Sequence, residues 1–129
     1  PVKAAICQEA ELEVLIKPRG WWSAYGGNVS VEVQQVSWQV GQGQVVGIGE
    51  LSLAVTYAQP QGVLQKWQEV RPFELTFACP QAEPGLDVCG ELKIQEVLYE
   101  ESSKNAQGPT AAGRCIRANV VLMADLVLL

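Results

Sequence analysis

From Leu51 to Tyr57 the chain alternates, with apolar Leu51, Leu53, Val55 and Tyr57 separated by Ser52, Ala54 and Thr56. Period two places successive side chains on opposite faces, so this segment reads as a strand with one buried face. Val46 and Ile48 stand on the other parity, and Gly47 and Gly49 fall where the register changes. That predicts a bulge at the two glycines, whose backbone tolerates one. Pro60 and Gly62 reverse the chain. It returns through Val63 to Phe73 and continues with Leu75, Phe77 and Cys79 on one side and Glu74, Thr76 and Ala78 on the other. A long central hairpin results, and its apolar face requires other strands to cover it.

The same pattern locates those strands. Residues 1–8 are weakly patterned. Ala10, Leu12, Val14 and Ile16 then alternate with Glu9, Glu11 and Glu13, and Pro18 follows. Glutamate and leucine also favour helices, but the alternation decides for a short strand with an acidic outer face. Val29, Val31 and Val33 hold one register and Val36, Trp38 and Val40 the other, which predicts a break at Gln34-Gln35. Gly41-Gln42-Gly43 turns the chain into the central strand. Leu86, Val88, Leu92 and Ile94 share an inward face, Asp87, Cys89, Glu91 and Lys93 point away, and Tyr99 closes the strand. Glu100 to Gly113 is polar, with glycine and proline, and reads as a loop.

The last strand begins at Arg114. Ile116, Ala118, Val120, Leu122, Leu126 and Leu128 line one face, while Val121, Met123 and Val127 make much of the other apolar. A strand apolar on both sides is covered on both sides. No helical pattern is available to do this, so the cover is expected from the N-terminal segment or from another subunit. Short strands separated by turn signals give an all-β fold, an antiparallel β-sandwich of jelly-roll or Greek-key type. Residues 1–28 form an N-terminal arm and aromatic loop, and 29–129 form the sandwich domain.

Composition narrows the function. The 129 residues suffice for one domain with a core. The net charge is −5 with a pI near 4.7 and no basic stripe, which argues against nucleic acid. No apolar run approaches the ~20 residues of a membrane-spanning helix, and no signal peptide is visible. Histidine is absent, which removes Ser-His-Asp and Cys-His catalysis and every His-ligated metal site. The row Glu9, Glu11, Glu13 and the pair Glu100-Glu101 read as solvated edges, not as convergent ligands or a glycosidase pair. The expectation is therefore a protein that is not an enzyme and has no cofactor and no metal.

The candidate contacts are of two kinds. Trp21, Trp22 and Tyr25 lie in a glycine-bounded loop and suit either an assembly contact or a sugar-stacking platform. Of the four cysteines, Cys79 falls on the inward parity and reads as a buried free thiol. Cys89 and Cys115 fall on the outward parity and Cys7 in the arm, so cross-links within or between chains are open to these three. The arm itself, through Leu12 and Val14, is expected to add as a strand to a neighbouring copy, alongside an outer patch of Val121, Met123 and Val127.

From Val29 onward the order of features resembles a known family. An apolar strand enters Gly49-Glu50-Leu51 and runs to Tyr57, and Pro72-Phe73 follows the loop. Pro80 to Gly85 and a strand ending Val97-Leu98-Tyr99 come next, then a polar loop and an apolar final strand. This pattern is similar to the SPOCS domain family, spore coat and cortex morphogenesis proteins of endospore-forming bacteria. The resemblance implies a structural, self-associating protein of the spore envelope or surface, a coat or filament subunit whose partners are copies of itself or other envelope proteins. A carbohydrate-binding sandwich recognising a cell-wall or surface glycan is the alternative.

Overall fold

The computed structural model describes residues 1–16, 28–58, 62–102 and 115–129, the side chains of Tyr57, Ala58, Glu101, Ser102 and Cys115 excepted. Six strands follow one another, β1 (Ala4–Ile16), β2 (Asn28–Gly41), β3 (Gln44–Ala58), β4 (Leu64–Ala78), β5 (Val88–Ser102) and β6 (Cys115–Leu128). They form two antiparallel three-stranded sheets, ordered β1-β6-β5 and β2-β3-β4. The fold is all-β, two sheets meeting face to face. β5 returns beside β2 at one corner, so β2 to β5 trace a Greek-key path across the two sheets.

The inner faces explain the alternation. On β3, Val45, Leu51, Leu53 and Val55 are buried, and on β6 every second residue from Ile116 to Leu128 is buried. Each large side chain removed from water in this way stabilises the fold by about 1.5–3 kcal/mol. The central strands β3 and β6 thus form the middle of the core, joined by buried residues of β1, β4 and β5 such as Ile16, Phe77 and Leu92, and β2 contributes partly buried side chains.

Three expectations are corrected. β3 carries no bulge, because its register with β4 is continuous from Gln44↔Ala78 to Ala58↔Leu64. Gly47 and Gly49 occupy inward positions of a single parity. A Cβ on Gly47 would come within 2.7 Å of the Trp38 ring, and one on Gly49 within 2.9 Å of the Phe73 ring. The glycines are there to seat two cross-strand aromatics. Trp38 also meets Phe77, with ring centroids 6.1 Å apart and tilted by 51°. The break at Gln34-Gln35 is present, as a register shift between Gln34 and Ser37 with Gln35 at φ 54°. A second shift, between Ile94 and Glu96, was not anticipated.

The second correction concerns the arm. β1 begins at Ala4 and pairs with β6 of the same chain along its whole length, from Ala4↔Leu128 to Ile16↔Ile116. Ile6, Val14 and Ile16 are buried in the core and Leu12 packs against it. Leu12 and Val14 are therefore core residues of their own domain, not a contact offered to a neighbour. A fold boundary after residue 28 would cut a sheet. The third correction is that β1 lies beside β6, not over it, so it leaves the outer side of Val121, Met123 and Val127 uncovered.

Candidate functional site

The outer face of the β1-β6-β5 sheet gathers most of the singled-out residues. Val121, Met123 and Val127 alternate along central β6 and are half-buried by their flanks. Pairing places Glu11 and Glu96 beside Val121, Glu9 and Lys93 beside Met123, and Ala5 and Cys89 beside Val127. Cys7 stands across from Asp125, and its thiol donates to the Met123 thioether at 3.6 Å. Cys7 and Cys89 are both exposed and unpaired.

These two thiols bracket β6 from opposite strands. Neighbouring strands are about 4.8 Å apart, so two spacings separate their Cα atoms by roughly 10 Å or more. A disulfide needs about 7 Å or less. Cys7 and Cys89 cannot bridge within one chain. Cys115 pairs with Ser102 at the opposite end of β6 from Asp125 and Val127, beyond reach of either. Cys79 is buried, with Gln81 Oε1 3.6 Å from its Sγ. It lies in a tight corner closed by Cys79 N–H donating to Gly43 O and Gly43 N–H to Ala82 O.

The charge on this face is uneven. Glu9, Glu11 and Glu13 form a row on β1, and Asp125, Glu91, Glu96 and Glu100 add to it on β6 and β5. Against them stand Lys93, 3.4 Å from Glu91, and Arg117, 3.2 Å from Glu13. Both pairs are solvated, and such pairs add little to stability. The thiols and the apolar row occupy one half of the face, and the glutamate row of β1 runs on into the other.

A shallow hollow of about 190 Å³ opens at that far end, lined by Leu98, Tyr99, Glu100, Arg117 and Asn119. Sequence reasoning took Tyr99 as the end of its strand and Glu100 as part of a solvated pair, and did not group them with Leu98, Arg117 and Asn119. Trp21, Trp22 and Tyr25 lie outside the described residues. Among the described residues, no three acidic or cysteine side chains converge as metal ligands, and no helix is long and apolar enough to cross a membrane. No family model matches the sequence, and no curated protein or solved structure is similar to it.

Proposed function

We propose that this chain is a structural, self-associating protein that works through protein–protein contacts and not as an enzyme. The observation that carries the reading is the half-buried apolar row Val121, Met123, Val127 flanked by two exposed thiols that cannot meet in one chain. A second copy laid on this half of the sheet covers the row and brings a thiol of each copy within range of the other. Oxidation then makes the contact covalent, which suits an assembly outside the reducing cytoplasm. The spore envelope, with a coat or filament as the product, is the setting implied by the SPOCS resemblance.

The test is the mass of the protein in solution with and without reductant, for the natural chain and for Cys7→Ser with Cys89→Ser. The reading expects assemblies that lose their reductant-resistant fraction in the double variant. A monomer at every concentration, oxidised or reduced, overturns it.

The glycan-binding alternative draws support from the hollow, where exposed Tyr99 lies beside Glu100, Arg117 and Asn119. An aromatic face with planar polar groups around it is the usual means of holding a sugar ring. The hollow is smaller than the ~300–1,000 Å³ of most ligand sites, so self-association is the favoured reading. Retention on immobilised peptidoglycan, lost in Tyr99→Ala at unchanged mass, would favour the alternative.

A further inference from the structure

The two sheets have four edges, and three are closed to further strands. β2 and β5 meet at one corner, and each is bulged, at Gln34/Ser37 and at Ile94/Glu96. β4 contains Pro72, which has no N–H to offer a new neighbour. Its inward parity also carries a charged pair, Arg71 Nη2 to Glu69 Oε2 at 2.8 Å. Bulges, prolines and inward-pointing charges are the devices that keep sheet edges from pairing. β1 has none of them. Its thirteen residues run without proline or register shift. The hydrogen bond described across its edge to the other sheet is at the N-terminal end, from Gln8 Nε2 to Ala78 O at 2.8 Å. From Glu9 to Ile16 the strand has, among the described residues, one paired side and no strand on the other.

Charge selects what can pair there. Directly opposed side chains on neighbouring strands attract or repel by their sign. Glu9, Glu11 and Glu13 are exposed on the outer face of β1. A second β1 placed antiparallel would set this row against its own copy. The other described strands do not supply the complement. β2 and β3 have no lysine or arginine, β5 and β6 have one each, and Lys66 and Arg71 of β4 lie on opposite faces. We propose that the free edge of β1, from Glu9 to Ile16, takes up an extended segment of another protein with lysine or arginine at alternate positions. Main-chain hydrogen bonds hold the segment, and the glutamate row fixes its register and rejects a second β1.

Glu9 and Glu11 also border the self-association face, but this site rests on the main-chain edge of β1 and survives the failure of that reading. The probe is a short peptide alternating lysine and valine, added to the whole protein and followed by fluorescence anisotropy and by amide hydrogen exchange. Saturable binding is expected, with new protection at the edge-facing amides of β1. Changing Glu9, Glu11 and Glu13 together to glutamine should weaken it roughly tenfold. These side chains are exposed, so the variant keeps its fold, which circular dichroism verifies. A peptide of the same charge, N-methylated along one edge, should bind at least about tenfold more weakly, because it lacks the donors for β1. Equal binding by the methylated peptide, equal binding by a glutamate–valine peptide, or protection appearing on a strand other than β1 overturns the proposal. So does protection of the same β1 amides when the protein alone is concentrated, since the occupant would then be a second copy.

Discussion

On the outer side of β3 the residues are Val46, Ile48, Glu50, Ser52, Ala54 and Thr56, and on that of β6 they are Arg117, Asn119, Val121, Met123, Asp125 and Val127. Both rows are mixed, and both central strands are fully packed on the inner side. The flanks set the two sheets apart. Beside β3, β2 carries Ser30, Glu32, Gln34, Ser37 and Gln39, and β4 carries Leu64, Lys66, Gln68, Val70, Glu74 and Thr76. Beside β6 stand two free thiols and a row of carboxylates. Alternation alone builds the inner faces alike. The outer faces are free of that constraint, and here one carries a few scattered charges and no thiol while the other carries two thiols and a row of carboxylates.

The largest effects should fall where the sheets are alike. Leu53 and Leu122 are fully buried on β3 and β6. Leu53→Ala and Leu122→Ala should each cost about 2–5 kcal/mol in denaturant unfolding. A cost under about 1 kcal/mol for one of them would break the equivalence of the two inner faces. Glycines sharpen the contrast next. A Cβ on Gly90 would meet backbone of Asp125 and Leu126, whereas one on Gly47 meets the Trp38 ring. Gly90→Ala should therefore cost about 3 kcal/mol, because β5 and β6 must part, and Gly47→Ala about 1–2 kcal/mol, because a ring can shift. The reverse order would show that the ring is the stiffer neighbour.

Smaller changes in stability separate the outer faces. Met123→Lys with Val127→Lys should alter stability by about 1 kcal/mol or less while lowering the mass measured by light scattering. Val46→Lys with Ile48→Lys, the matching pair on β3, should leave the mass unchanged. Equal loss of mass in both pairs would erase the distinction between the sheets. The smallest effect belongs to Arg117→Ala, which removes an exposed ion pair to Glu13 and should change stability by about 0.5 kcal/mol or less.

Much of the fold was legible because period two is hard to miss when valine, leucine and isoleucine mark it. All six strands, the bulge in β2, the inward row of β6 and parts of those of β3, β4 and β5 follow from it. The errors arose where side chains are silent. Gly47 and Gly49 have none, so they hid the inward parity of β3, and Val46 and Ile48 suggested the wrong register. Ala4 and Gln8 are weak markers, so the first half of β1 went unread. The shift after Ile94 was signalled by the step to Val97, also inward, which shares no parity with it. The partner of β1 was out of reach for another reason, since pairing between distant strands depends on topology and not on local composition. Of the candidate site, Cys89, Val121, Met123 and Val127 were read on their correct face. That Cys7 joins them required knowing that β1 lies beside β6.

That pairing has a consequence for the order of events in folding. The backbone joins Ala4 to Leu128, and Lys3 N–H donates to Leu128 O at 2.8 Å. A chain made from its amino end must keep β1 waiting while the β2-β3-β4 meander and then the β5-β6 hairpin emerge. Closing so long a loop late is slow, because its entropy is lost before its contacts form. Refolding followed by pulsed hydrogen exchange should find the β3 and β4 amides protected early and those of β1 last. Until then Ile6, Val14 and Ile16 are unburied, and the nascent chain is at its stickiest just before β6 emerges.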